Sequence, residues 1–194
     1  MKQDIILAGV GGQGILSIAF VIDNAALKQG LYMKQAEVHG MAQRGGGVQS
    51  HLRLSEEAIY SDLVPRGRAD LILSVEPLEA LRYIEYLGPE GRIVTSSTPM
   101  INIPDYPPLD EVLAAIRKFK GSVIVDSAKL AQEAGAPQTQ NMVMLGAASR
   151  YLMLKVDDLR EFIGVLFGAR GEKIVAANLE AFDLGRQASE AGAA

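Results

Sequence analysis

The sequence has no cysteine, no tryptophan and only two histidines among its 194 residues. Without thiols the chain cannot form disulfides, hold an iron–sulfur cluster or a thiolate zinc site, or use a cysteine nucleophile. His39 and His51 have no second histidine at helix-face spacing, so no metal site is expected on the chain. A strong charge of one sign is also missing: 19 Lys and Arg stand against 23 Asp and Glu, a net charge of −4. Nucleic acid is therefore not an expected partner. Long apolar runs are lacking too. The run after Asp4 ends in glycines, and the run from Ile15 to Ile22 stops at Asp23 and Asn24. Each is too short for a signal-peptide core or a spanning helix, so a cytoplasmic chain without membrane contact is expected.

What is present describes an ordinary folded protein. With 48% apolar and 22% charged residues, the chain lies far from the composition of disordered segments. Its length suits one domain over residues 1–194. Asp4 to Ala8 reads as a buried strand, and Ile15 to Lys28 as an almost uniformly apolar helix that stops at Gly30. A second strand over Tyr32 to Glu37 completes a Rossmann-like opening βαβ unit with a right-handed crossover. Val48 to Leu54 alternates, with Val48, Ser50, Leu52 and Leu54 on one face. That leaves His51 on the solvated side, with Ala58 to Ser61 as the hairpin partner and antiparallel strands inside an otherwise parallel sheet.

Further strands are expected at Leu71 to Val75, Arg92 to Thr95 and Val123 to Val125. Helices are expected at Pro77 to Leu87, Leu109 to Phe119 and Ser127 to Ala134. The four prolines from Pro99 to Pro108 keep the loop between them extended. From about Gln140 the chain reads as two or three helices. One runs from Met142 to Leu154, opened by Asn141; Asp157 and Asp158 start another, and Gly171 with Glu172 a third. Only the alanine-rich tail after Ala188 looks dispensable.

Two glycine-rich segments carry most of the functional information. Gly9-Val10-Gly11-Gly12-Gln13-Gly14 lies between a strand and a helix, where glycines let backbone N–H groups approach a phosphate at a positive helix end. Glu37, ending the second strand, stands where a ribose-binding acid is expected in a dinucleotide site. The competing reading is a turn that packs tightly, or that offers its amides and the Gln13 amide to a partner's anionic ligand. In Met41-Ala42-Gln43-Arg44-Gly45-Gly46-Gly47, three consecutive glycines point to close approach of another backbone or a ligand. Arg44 beside them can grip a carboxylate or phosphate, or can be a solvated arginine in a plain loop. His39, two residues after Glu37, is either an imidazole charged by that carboxylate or a polar contact without chemistry. Glu76 is placed for a ligand or subunit contact, or to cap the helix at Pro77. Asn141 reads as a helix cap, and Gly146-Ala147-Ala148-Ser149 as a small-residue face for close packing, with another subunit as one candidate to cover it.

Taken together, GVGGQG at Gly9 to Gly14, EVHGMAQRGG at Glu37 to Gly46, NMVMLGA at Asn141 to Ala147 and ANLEAF at Ala177 to Phe182 resemble the gamma family of 2-oxoacid:ferredoxin oxidoreductases. The resemblance covers essentially the whole chain. The stretch from Glu76 to Arg82 points to the indolepyruvate branch over the pyruvate, 2-oxoglutarate and branched-chain branches.

That resemblance implies an α/β fold of three layers, α/β/α, with a mostly parallel mixed sheet and a helical C-terminal third. It also implies a heteromeric enzyme that oxidatively decarboxylates arylpyruvate with coenzyme A, giving aryl-acyl-CoA, carbon dioxide and reduced ferredoxin. Thiamine diphosphate, Mg2+ and iron–sulfur clusters are then expected on a partner alpha subunit, with no cofactor on this chain. Gly11, Gly12, Gln13, Glu37, His39, Gln43 and Arg44 would form an interfacial surface near the partner's thiamine site, none of them a catalytic group. Arg44 is the candidate to contact a coenzyme A phosphate or the substrate carboxylate. The isolated chain is expected to be inactive and able to pair with itself. A stand-alone NAD-binding oxidoreductase and a structural protein that dimerises through its glycine-rich surface are the rival readings.

Overall fold

The structure, a computed structural model, describes residues 1–39 and 45–191, with only the backbone at His39 and Ala191. Six strands are found among the described residues: β1 (Lys2–Val10), β2 (Tyr32–His39), β3 (Gly47–Ser55), β4 (Ala69–Ser74), β5 (Leu87–Ser96) and β6 (Val123–Val125). They form one sheet in the order β2-β3-β1-β4-β5-β6. β1, β4, β5 and β6 pair in parallel, while β3 is antiparallel to both β1 and β2. The sheet is thus mixed and mostly parallel, with β3 running against the rest.

The opening unit differs from a simple βαβ. β1 and β2 run the same way but are not neighbours, because β3 lies between them, pairing with β2 from Tyr32↔Ser55 to His39↔Val48 and with β1 from Lys2↔Ser55 to Val10↔Gly47. Both hydrogen-bonding edges of β3 are therefore occupied. This is why Ala58 to Ser61 forms no strand: no edge of β3 is left to pair with it.

Residues 56–68 instead form a loop across the second face of the sheet, and the polar side of β3 is turned into its anchor. His51 is buried, not solvated, and its Nδ1 accepts the Val64 N–H at 3.1 Å. Its ring meets the Tyr86 ring edge-on at 5.1 Å. Burial lowers the imidazole pKa, against the opposing charge of Asp62, so the neutral form able to accept that bond is favoured. Buried Arg53 reaches Asp4 through two bonds of 2.7 and 3.2 Å, and its Nη1 donates to the carbonyls of Ser61 and Leu63.

Helices cover both faces, giving the expected three layers. On the first face lie α1 (Ile15–Lys28), α4 (Ser127–Glu133), α5 (Gln140–Ala148), α6 (Val156–Phe167) and α7 (Glu172–Ala191); on the second lie α2 (Pro77–Arg82) and α3 (Leu109–Arg117). α2 is shorter than the expected Pro77 to Leu87: after Arg82 residues Ile84–Tyr86 tighten into a 3-10 turn, and Leu87 begins β5, pairing with Ala69. α5 also ends early: the Ser149 hydroxyl donates back to the Gly146 carbonyl at 2.7 Å, and residues 149–151 tighten into a 3-10 turn. No helix among the described residues is long and apolar enough to cross a membrane.

α5 is buried from Asn141 to Ala148, as a helix apolar on all sides must be. Its small-residue face meets α7 of the same chain, not another subunit. A methyl group added at Gly146 would stand 1.9 Å from the Phe182 carbonyl oxygen, and one at Gly185 would stand 1.9 Å from the Val143 carbonyl oxygen. The two helices touch backbone to backbone. α7 also carries past Ala188: Ser189 is fully buried, and its carbonyl accepts from Arg150 Nη1 at 3.1 Å, so the helix is still packed at Ser189. Gly146→Ala or Gly185→Ala must push the helices apart and should cost about 3 kcal/mol or more. Urea unfolding would measure this, and a loss below about 1 kcal/mol would show the contact to be looser than described.

Candidate functional site

The sheet has its topological switch between β1 and β4, since the chain leaves β1 toward β3 and β2 on one side and continues from β4 toward β5 on the other. Open α/β sheets bind ligands outside the carboxyl ends of the strands at such a point. Here that place is built by three loops and one helix start: the turn 9–14, the segment 45–47, the loop 97–108 and the N-terminus of α5.

The turn is a rigid piece of backbone. Gly12 and Gly14 have φ of 105° and 78°, a left-handed conformation that glycine adopts without strain. The Gln13 N–H donates to the Val10 carbonyl at 3.0 Å, and the Gln13 side-chain carbonyl accepts from the Val10 N–H at 2.7 Å. Gln13 thus braces its own turn, where the sequence suggested an outward-facing amide. The second glycine segment is pinned to the first: Gly11 N–H donates to Gly46 O at 2.8 Å and Gly45 N–H to Gly11 O at 3.2 Å. Gly45 also has a positive φ, 78°, which favours glycine at that position. Asn141 closes the assembly from below. Its Nδ2 donates to the Gly14 carbonyl at 3.3 Å and lies 2.4 Å from where a Gly14 methyl would project, so it acts as a clamp and not as the expected helix cap.

Two clefts flank the turn. One, of about 440 Å³, is lined by Val10, Gly11, Gly12, Gly14, Ile15, Leu16, Glu37 and Val48. The other, of about 340 Å³, lies at the switch point between Gly12, Gln13 and Gly14 on one side and Thr98, Met100, Gln138 and Asn141 on the other. α1 starts between them and carries no acidic residue in its first turn, so its positive end is not neutralised from within the helix. An anionic or strongly polar group fits such a place.

The loop 97–108 is held by a buried acid. Glu76 caps α2, taking the Glu79 N–H at 2.8 Å, and its other oxygen accepts from Met100 N–H at 3.3 Å and from the Tyr106 hydroxyl. The capping reading of Glu76 is therefore the observed one. Burial, then the bond to Glu76, pushes the Tyr106 phenol pKa up. Glu79, also buried, is pushed up by burial, with Arg82 opposing and Glu76 adding to the shift. Its Oε2 would lie 2.9 Å from a methyl at Gly47. Asn102 completes the join by donating to Gly45 O at 2.6 Å.

Of the residues singled out in the sequence, Gly11, Gly12 and Glu37 come together at one cleft, and Gln13 borders the other. Glu37 reaches the cleft from across β3, opposite Ser50. That is not the neighbouring-strand position of a ribose-binding acid, so the dinucleotide reading loses its geometric basis. His39 is fixed only as the end of β2, while Gln43 and Arg44 lie outside the described residues. Asn141 as a clamp, Glu79, Asn102 and Tyr106 were not foreseen. Glu79 stands one helical turn after Glu76 on α2, a spacing the sequence did show, but nothing local marks Asn102 or Tyr106 as contacts of residues so far away in the chain.

A mixed sheet covered on both faces, with glycine-lined clefts at the carboxyl ends of its strands, defines an α/β domain of the class that receives a ligand or another protein at its switch point. The chain belongs to the pyruvate ferredoxin/flavodoxin oxidoreductase family, whose model matches residues 4–188. It is 39% identical over 201 residues to indolepyruvate oxidoreductase subunit IorB of Thermococcus kodakarensis, covering 98% of each chain. To the protein of the same name in Archaeoglobus fulgidus it is 34% identical, over 95% of this chain and 94% of that one. Among solved structures, the 2-oxoglutarate:ferredoxin oxidoreductase of Magnetococcus marinus, with 2-oxoglutarate, coenzyme A and succinyl-CoA bound, superposes with a TM-score of 0.76 at 26% identity. The match covers 98% of this chain and 31% of that one. Pyruvate oxidoreductase subunit PORC of Thermotoga maritima, at 22% identity and a TM-score of 0.70, shares the fold.

An iron–sulfur cluster held by thiolates does not fit the residues present. The chain has no cysteine, and among the described residues no three His, Cys, Asp or Glu side chains converge on a metal position.

Removing the Glu76 carboxylate should release the wall of the switch-point cleft. In Glu76→Ala, the amide of Met100 should lose at least about tenfold of its hydrogen-exchange protection, with a stability loss of roughly 1–3 kcal/mol. Unchanged exchange over residues 98–106 would show that Glu76 does not hold the loop.

Proposed function

We propose that this chain is the small, cofactor-free subunit of an indolepyruvate-type 2-oxoacid:ferredoxin oxidoreductase. The observation that carries the reading is kinship with indolepyruvate oxidoreductase subunits along nearly the full length of both chains. The geometry supports it: the glycine segments are locked into a cleft-bearing surface instead of a dinucleotide unit. The complex oxidises an arylpyruvate with coenzyme A, releasing carbon dioxide, forming the thioester and passing two electrons to ferredoxin. Thiamine diphosphate with Mg2+ and iron–sulfur clusters on the partner subunit supply the carbanion and electron-transfer chemistry.

This chain's own part is binding and placement. Gly11 ties the turn before α1 to the segment after Arg44, Gln13 braces that turn, and Gly12 and Glu37 line the larger cleft. Together with His39, Gln43 and Arg44 they make the interfacial surface, and the uncompensated end of α1 favours an anionic ligand group there. The whole of 1–194 acts as one domain in this reading. The structural likeness to a 2-oxoglutarate enzyme keeps that acid as the second substrate to test.

Affinity purification of the tagged chain from its native cytoplasm tests the assignment. The expected eluate is brown, contains iron and thiamine diphosphate, and reduces an acceptor only when indolepyruvate and coenzyme A are both supplied. A colourless lone chain that binds NADH would overturn it. Within the complex, Arg44→Ala should raise the KM for coenzyme A or for the arylpyruvate about tenfold, as loss of a charge-assisted bond does. Unchanged kinetics for both would remove Arg44 from the ligand surface.

A further inference from the structure

α1 carries a second apolar stripe that the chain's own fold leaves uncovered. Its wide face, including Ile15, Ile18, Ile22 and Ala26, is buried in the core. Beside that face, Leu16, Phe20 and Leu27 are 58%, 37% and 57% exposed. With Asp23 they stand at positions 16, 20, 23 and 27, and a spacing of four, three and four residues sets side chains in one line along a helix. It is the spacing of a seam that packs against a second helix.

Asp23 is the odd member. It is 7% exposed, its Oδ1 has no hydrogen-bond partner among the described residues, and burial pushes its carboxyl up to about 7. A buried carboxylate oxygen without a donor weakens the isolated chain. The same group gains a purpose where a cation reaches it across an interface, because one polar member of an apolar seam fixes the register and identity of the partner helix. Pairing with a second copy of this chain is disfavoured, since antiparallel self-packing about the seam centre brings two such carboxyls within about one turn of each other. The stripe is also continuous with the proposed ligand surface, for Leu16 lines the larger glycine cleft as well.

We infer that the line Leu16, Phe20, Asp23, Leu27 on α1 is the docking seam for a helix of the cofactor-bearing partner subunit, one that sets apolar side chains against the three hydrophobic residues and an Arg or Lys against Asp23. The inference rests on the heteromeric reading above. The Magnetococcus marinus enzyme, where a fold of this kind occupies 31% of a longer chain, agrees with a domain that works packed against others.

The test measures the affinity of the full chain for the purified cofactor-bearing subunit. Phe20→Asp and Leu27→Asp change exposed positions, so circular dichroism and Tm should stay close to wild type while binding weakens at least about a hundredfold. Leu63→Asp, equally exposed but on the loop over the other face, should stay within about threefold. Asp23→Ala should leave the Tm of the isolated chain at pH 8 unchanged or higher and yet weaken binding at least about tenfold, a pair of effects that a purely structural residue cannot produce. Wild-type affinity in Phe20→Asp and Leu27→Asp would overturn the seam alone. So would an isolated chain that dimerises and becomes monomeric in these variants while still binding the partner normally. Failure of the wild-type chain to bind the partner would remove the heteromeric reading and the seam with it.

Discussion

Everything at the carboxyl end of this sheet depends on β3 being paired along both of its edges. Because β3 bonds to β1 and β2 over its whole length, Gly47 is set beside Val10. The chain entering β3 must then run past the turn that leaves β1. The reciprocal bonds between Gly11 and the Gly45–Gly46 backbone follow from that register. Shifting β3 by one residue would break this join and turn Leu52 and Leu54 out of the core, so the hydrophobic pattern of the strand and the geometry of the cleft enforce each other.

A second constraint is the contact between α5 and α7. Helices usually keep their axes 8–10 Å apart through their side chains, but here Gly146 and Gly185 each admit a carbonyl oxygen of the facing helix. This contact draws the C-terminal helix onto α5 and holds α5 on the sheet, where its first turn presents Asn141 to Gly14. A packing feature far from the cleft therefore reaches the glycine turn through one rigid helix.

The polar interior serves the loops more than the core. His51 and Arg53 tie down residues 56–68, and Glu76 ties down 97–108, each through backbone groups of the loop. Buried side chains that satisfy loop backbones allow irregular segments to lie against a sheet without orphaned donors or acceptors. Glu79 and Asp23 differ from these loop anchors, since each keeps an oxygen unpartnered among the described residues, as Gln49 and Ser189 also do. Glu79 faces the glycine segment at Gly47, and Asp23 lies buried on α1 beside its exposed apolar stripe.

Much of this was legible in the residues themselves. The helix from Ile15 to Lys28 and the strand from Val123 to Val125 follow from local apolar runs bounded by glycine or turn residues. The glycine motifs marked the cleft, and the absence of cysteine settled that no iron–sulfur cluster is held here by thiolates. Local sequence could not place β3 between β1 and β2, nor show that His51 and Arg53 are buried under a loop, nor give Asn141 a partner 127 residues away. Alternation along a strand reports which residues share a face, but not whether the other face meets water or protein. Strand neighbours and distant clamps are chosen by which pairings satisfy every backbone group while burying the most apolar surface, and that choice exists only when the whole chain is packed.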